Sequence, residues 1–233
     1  MSAAGTLLVV PTPIGNLEDI TLRALRALRE CDAVIAEDTR RTRTLLTAND
    51  IHKPMLSLPA FDERRRLPGI LERLEAGATL ALCTDAGTPG ISDPGMMLVR
   101  AARDNGHEVI SLPGASAVIT ALAGSGLGGG GFAFLGFLPR TPGKMAGAVE
   151  RALVLDMPVA FFESALRLAR TLRVLTPLLG ERQVIVAREL TKIHETYHIG
   201  TAAELCVAFT AKTPKGECTV LIGSAPRPVA AAE

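Results

Sequence analysis

The segment Thr79-Leu80-Ala81-Leu82-Cys83-Thr84-Asp85-Ala86-Gly87-Thr88-Pro89-Gly90-Ile91-Ser92-Asp93-Pro94-Gly95 decides how this chain is read. Its first five residues are an apolar run with the pattern of a strand buried on both faces. The eleven residues from Asp85 to Gly95 hold three Gly, two Pro and two Asp. So many backbone constraints fix an irregular loop at the C-terminal end of the strand, where open α/β sheets bind ligands. A helix over Met96 to Arg103 follows, stopped at Asn105-Gly106, and a further strand over Glu108 to Leu112.

Outward from this unit the same alternation recurs. Thr6 to Val10 reads as a strand ended by Pro11-Thr-Pro13, and Leu22, Leu25 and Leu28 mark one face of a helix. Ala33 to Ala36 is a second strand, Thr39 to Thr47 an Arg-rich helix, and Leu56 to Leu58 a short strand. Leu71 and Leu74 belong to a helix ending near Gly77, with Pro68 in its first turn. A helix over Ala115 to Ala123 closes this half. The expected fold class is α/β, with a parallel sheet covered on both faces. Ser125 to Gly131 carries five glycines in seven residues and is expected to be a linker. The organisation is therefore an N-terminal α/β domain over 1–124, the linker at 125–131, a C-terminal α/β domain over 132–224, and a loose tail from 225. In the second domain strands are expected at Phe132 to Leu138, Pro158 to Phe162, Gln183 to Arg188, Tyr197 to Ile199 and Thr219 to Ile222. Helices are expected at Lys144 to Leu155, Ala165 to Leu175 and Ala202 to Phe209.

Composition narrows the function. The 233 residues, 48% hydrophobic and 21% charged, supply the core of a folded protein of one large or two modest domains. Aromatic residues make up only 3%, with no Trp, which excludes a nucleic-acid surface built on rows of stacked rings. A net charge of +1 excludes a histone-like or polybasic membrane-surface protein. Cys31, Cys83, Cys206 and Cys218 form no CxxC pair, which suits a reducing cytoplasm. No signal peptide is expected, because Pro11 and Pro13 cut the first apolar run short. The uncharged stretch from Val109 to Pro139 is long enough to cross a bilayer, but Pro113, Gly114 and the glycines of 126–131 would break such a helix.

Two motif matches fail on context. Gly126-x-Gly128-x-x-Gly131 fits the dinucleotide fingerprint, yet it follows a helix and precedes a strand, the reverse of what that motif requires. His194-Glu195-Thr196-Tyr197-His198 fits HExxH, but it lies in a strand-like setting where the two imidazoles cannot share a helix face, so no metal is expected. Glu189-Leu-Thr191-Lys192, at the end of a strand with Glu195 close by, is a charged cluster that is either a site or a solvated rim.

Pro11-Thr-Pro-Ile-Gly-Asn-Leu17, Ala36-Glu-Asp-Thr-Arg40, Asp85 to Gly95, Leu112-Pro-Gly114 with Ser116, Phe134-Leu-Gly-Phe-Leu-Pro139, Ala187-Arg-Glu-Leu-Thr-Lys192 and Pro214-Lys-Gly216 resemble, in order, the small-subunit ribosomal RNA methyltransferase I family of the tetrapyrrole methylase superfamily. The resemblance implies two α/β domains with S-adenosylmethionine folded on itself in the cleft between them, and a homodimer. It implies 2′-O-methylation of a cytidine ribose in the decoding region of 16S rRNA, on free rRNA or the 30S subunit. S-adenosylmethionine has no phosphate and needs no glycine cradle; Pro13, Gly87, Thr88, Ile91, Ser92 and Ser116 are the candidate cofactor contacts. Asp85, Glu189 and Lys192 are the catalytic candidates, either accepting the 2′-hydroxyl proton or favouring the alkoxide. Arg40, Arg41 and Arg43 are candidate phosphate contacts on RNA. Phe162-Glu-Ser-Ala165-Leu166-Arg167 departs from the family, which has Pro-His where this chain has Ala165-Leu166. The region from Ser57 to Glu63 also departs, carrying Leu58-Pro59-Ala60-Phe61 where relatives have Tyr and His. The alternatives are a methyltransferase acting on a small tetrapyrrole and a non-catalytic RNA-binding module.

Overall fold

A computed structural model describes residues 5–128 and 130–225, and the chain divides into two compact units at Ser116/Ala117. The first unit runs β1 (Thr6–Val9), α1 (Leu22–Glu30), β2 (Ala33–Ala36), α2 (Thr39–Thr47), β3 (Met55–Ser57), α3 (Glu63–Glu75), β4 (Thr79–Cys83), α4 (Met96–Asp104) and β5 (Glu108–Ser111). Its five strands lie in the order β3-β2-β4-β1-β5, every pair parallel. Alternate strand residues feed two cores. Leu7, Ile35, Leu80 and Leu82 pack with Ile70 and Leu74 of α3 and Leu98 and Ala102 of α4. Val34, Ala81 and Cys83 pack with Ala24 and Leu28 of α1 and Leu46 of α2 on the opposite face. The period-2 alternation of a strand thus decides which helix each residue meets. This confirms the parallel sheet covered on both faces.

The second unit runs α5 (Ala117–Ser125), β6 (Ala133–Phe137), α6 (Pro142–Leu153), β7 (Val159–Ser164), α7 (Ala165–Leu179), β8 (Val184–Arg188), β9 (Thr196–Gly200), α8 (Ala202–Ala211) and β10 (Glu217–Ile222). Its sheet, β6-β7-β10-β8-β9, is mixed: β6 and β7 are parallel, and the remaining pairs are antiparallel. One face, including Val159, Phe161, Val184, Val186 and Val220, is covered by α6, α7 and α8 through residues such as Val149, Leu172 and Phe209. Because β10 runs against β7 and β8, its first residues lie beside the last residues of both neighbours; Glu217 faces Ser164 and Cys218 faces Arg188. That reversal builds the charged corner described below.

Three expectations need correction. The glycine-rich stretch is not the boundary: α5 packs on β8 and β10, and Gly124 lies so close to the Tyr197 ring that any Cβ there would strike its hydroxyl. The stretch after α5 is therefore a connection within the second unit, with residue 129 and the tail from 226 outside the described residues. Helix α3 begins at Glu63, which leaves Pro68 beyond the first turn, where it removes the bond to the Arg64 carbonyl. Pro68 is exposed, so water can serve that carbonyl, and the early start brings Glu63 to the N-terminus of α4. Helix α7 continues through Pro177 to Leu179, because Leu179 is buried in the core of the second unit. Among the described residues no helix is long and apolar enough to cross a membrane.

Candidate functional site

In the first unit the sheet order puts the C-terminal ends of β2, β4, β1 and β5 side by side, so their four turns meet. Thr12 and Gly87 exchange both backbone hydrogen bonds, each at 2.9 Å, and the Thr12 hydroxyl donates to the Thr84 carbonyl at 3.0 Å. The Thr88 hydroxyl donates to the Ala115 carbonyl at 3.1 Å. Pro11 lies so near Gly114 that a Cβ there would stand 2.6 Å from Pro11 Cβ. Gly87, Gly90 and Gly95 all have positive φ (+81°, +78° and +122°), a conformation that glycine adopts at no steric cost.

Charge ties β2 to β4. The Asp85 N–H donates to the Glu37 carboxylate at 3.3 Å, the Asp38 N–H donates to the Asp85 carboxylate at 3.1 Å, and Arg41 pairs with Asp85 at 3.4 Å. Burial, reinforced by the charge of Asp85, holds Glu37 above the usual carboxylate range. Asp38 caps α2 by accepting the Arg40 N–H at 2.8 Å and is gripped by the Arg40 side chain at 3.1 and 2.7 Å. The hydrogen bonds from the Arg40 side chain and then from its backbone lower Asp38 to about 2. Two of the three candidate RNA contacts are thus engaged in local pairs. Arg40 nonetheless lines, with Arg43, Thr44, Thr47 and Ala48, an open concavity of about 490 Å³ on α2.

Sequence reasoning missed Glu63. Its buried carboxylate accepts the N–H groups of Gly95 at 3.1 Å and Leu98 at 3.0 Å, which caps the N-terminus of α4. A helix N-terminus directly after a strand and its loop is where a dinucleotide fold holds a pyrophosphate. Here a carboxylate already fills it. Local sequence contains no signal for this, because the two partners are more than thirty residues apart.

In the second unit the corresponding turn follows β8. Lys192 Nζ lies 3.0 Å from Glu189 Oε1 and 3.1 Å from Glu217 Oε2. The Glu217 N–H donates to Glu189 Oε1 at 3.0 Å, and the Glu189 N–H donates to the Glu217 carbonyl at 3.0 Å. Arg188 stitches the turn through Thr196 Oγ1, the Lys215 carbonyl and the His194 carbonyl. The Thr191 N–H donates to the Glu195 carboxylate. Burial works against the charge of Lys192, but the hydrogen bonds to Glu189 and Glu217 outweigh it and raise its proton affinity. Glu189 shows the mirror image: desolvation is overcome by the Glu217 N–H and by Lys192, and its carboxyl is held below the usual range.

At the Ala165-Leu166 departure from the family pattern the strand end keeps its polar groups paired, whereas in the 57–63 region Phe61 is exposed. Glu163 is buried and served by the Ser164 N–H at 2.8 Å, the Thr171 hydroxyl at 2.6 Å and Arg167 at 3.4 Å, while Leu166 is exposed at the start of α7. His194 sits in a turn and His198 on β9, its ring 5.0 Å from that of Phe209, so the HExxH residues share no helix face. Burial, with the charge of Arg188, depresses the His198 pKa.

Residues 6–206 match the family of Tetrapyrrole (Corrin/Porphyrin) Methylases. The chain is 46% identical over 219 residues to ribosomal RNA small subunit methyltransferase I of Thermotoga maritima, covering 94% of this chain and 98% of that protein. It is 44% identical over 228 residues to the protein of the same name from Xylella fastidiosa, covering 97% and 84%. The chain belongs to the tetrapyrrole methylase family, among the ribosomal RNA small subunit methyltransferases I. Solved structures show the same fold at low identity. The methyltransferase CobJ superposes with a TM-score of 0.73 at 20% identity, covering 97% of each chain, and a diphthine synthase with 0.71 at 15%, covering 94% and 90%.

The methyl donor of these methyltransferases, S-adenosylmethionine, fits the residues present. The capped α4 terminus rejects a phosphate, which this donor lacks. Ile91 and Met96 are exposed apolar side chains in the loop after β4 and at the start of α4, Ser92 is exposed in the same loop, and the buried Thr84 hydroxyl beside Asp85 in sequence has no hydrogen-bond partner. Pro13 and Ser116 are half-buried in the turns after β1 and β5. Gly87 and Thr88 have spent their backbone pair and hydroxyl on Thr12 and Ala115, so they shape the loop.

Proposed function

We propose that this protein transfers a methyl group from S-adenosylmethionine to the 2′-hydroxyl of a cytidine ribose in the decoding region of 16S rRNA. The observation that carries the reading is the 46% identity to a ribosomal RNA small subunit methyltransferase I, over 94% of the chain. When bound, S-adenosylmethionine supplies a methyl carbon on a sulfonium, so that transfer is an in-line displacement helped mainly by alignment and exclusion of water. What this chain adds is the management of a poor nucleophile.

Of the three catalytic candidates, Lys192 acts on the substrate. An ammonium has three N–H donors; two meet Glu189 and Glu217, and the third serves the 2′-oxygen on which negative charge develops as its proton passes to solvent, the O–CH3 bond forms and the S–CH3 bond breaks. Glu189 is committed to Lys192 and to the Glu217 N–H, and so positions the ammonium. Asp85, between Arg41 and the Asp38 N–H, fixes the loop against β2. The concavity with Arg40 and Arg43 contacts the phosphate backbone, a need that a small tetrapyrrole does not impose. The enzyme works in the cytoplasm, in keeping with four free thiols, and as a homodimer; the dimer rests on family resemblance and is read by sedimentation velocity.

The test uses methyl-labelled S-adenosylmethionine with 16S rRNA and with 30S subunits from cells lacking this gene, followed by mapping of 2′-O-methyl sites. One labelled cytidine in the decoding region is expected, together with binding that weakens steeply with salt. Label on a tetrapyrrole, or no label on either RNA substrate, would overturn the reading.

A further inference from the structure

The antiparallel course of β10 starts it at the corner where β7 and β8 end. Its first residue, Glu217, touches the Glu189-Lys192 pair in three ways: its N–H meets the Glu189 carboxylate at 3.0 Å, its carbonyl accepts the Glu189 N–H at 3.0 Å, and its carboxylate meets Lys192 Nζ at 3.1 Å. The residue before it, Gly216, has φ +95° and lies so close to the Glu189 carboxylate that any Cβ would overlap it. Only glycine therefore lets Glu189 reach the start of β10. The Glu217 side chain is 81% exposed, against 31% for Lys192. An exposed carboxylate pairing with a lysine adds little to stability. What it does add is direction: with one carboxylate alone, the ammonium would swing about a single contact.

We propose that Glu217 is a positioning residue for Lys192, fixing the direction of the third Nζ–H by holding the ammonium between two carboxylates. The inference rests on the reading that Lys192 faces the substrate. Glu217 works through Lys192 and touches no reacting atom. Gly216 is the accessory that brings Glu189 and Glu217 together.

The experiment compares wild type, Glu217→Gln, Glu217→Ala and Lys192→Ala on 30S subunits, with kcat and KM measured separately. In parallel, the acetylation rate of Lys192 by an N-hydroxysuccinimide ester is followed by mass spectrometry, with Lys53, Lys144, Lys212 and Lys215 as internal references. Glu217→Ala is expected to lower kcat about 10-fold, within the range that small misplacements of a reacting group produce. Glu217→Gln, which keeps an acceptor oxygen, should fall between it and wild type. KM for both substrates and the melting temperature should stay near wild type, while acetylation of Lys192 alone speeds up. A merely structural role would not move that labelling rate selectively. If both Glu217 variants keep wild-type kcat and Lys192 labelling while Lys192→Ala is inactive, this inference falls and the role of Lys192 stands. If Lys192→Ala methylates at the wild-type rate, the role of Lys192 falls and takes this inference with it.

Discussion

The two turns that follow β4 and β8 solve one geometric problem by opposite means. Each must bend sharply at a strand end and hold functional groups there. The first places glycine wherever the backbone enters the left-handed region, at Gly87, Gly90 and Gly95. The second places Glu189 (φ +52°) and Thr191 (φ +64°) in that region, at a cost of about 1–2 kcal/mol each. The surroundings offset that cost through the salt bridges of Lys192, the backbone exchange with Glu217 and the bond from the Thr191 N–H to Glu195. A loop whose left-handed positions are all glycine bends without strain, and its charges only anchor its two ends. A turn shaped by ion pairs has its form coupled to the groups that carry the chemistry.

The largest expected effect falls on the charged turn. Lys192→Ala should lower methylation by at least about 10²-fold, the scale of losing one electrostatic contact to a developing charge, with cofactor affinity and melting temperature little changed. If the variant instead melts far earlier and loses the cofactor, the ion pairs serve the fold alone, and Lys192 is a structural rim residue with no place in the chemistry.

The next effect falls on the glycine turn and reads out as stability. Glu63→Ala removes the acceptor for two buried N–H groups at the start of α4 and should cost about 2 kcal/mol in urea unfolding, since buried donors lose their partner and regain no water. An unchanged midpoint would mean that the end of the Asp85–Gly95 loop does not depend on this cap.

The same contrast explains what could be read from sequence. Strand β4, the Asp85–Gly95 loop and α4 were legible because apolar alternation, glycine and proline act locally, and residue type alone dictates their geometry. The mixed second sheet was not, because an apolar run such as Val184–Arg188 has the same composition whether its neighbour is parallel or antiparallel. The unit boundary was misplaced because glycines mark flexibility, whereas membership depends on α5 packing against β8 and β10. In the candidate site Lys192 and Glu189 were visible as a charged cluster three residues apart, but Glu217 and Glu63 reach their partners from distant segments. A charge brought in by topology leaves no local spacing to find.

The smallest effect sharpens the comparison most directly. Thr191 is β-branched, sits at φ +64°, and its buried hydroxyl has no hydrogen-bond partner. Thr191→Gly relieves the left-handed strain, roughly 1–2 kcal/mol, and removes the unpaired hydroxyl. Against that, glycine loses more backbone entropy on folding, roughly 0.5–1 kcal/mol. The balance favours the variant by about 1 kcal/mol or less, seen as a slightly higher melting temperature. Rate should move the other way. A glycine at this position loosens the segment between Glu189 and Lys192, so kcat should fall a few-fold, the trade expected where a strained residue supports a site. Thermal melts and methylation rates measured on one preparation decide the matter. A variant that is less stable than wild type by about 1 kcal/mol or more would show that Thr191 contributes packing that outweighs its strain, and the second turn would then be shaped by its residues, like the first.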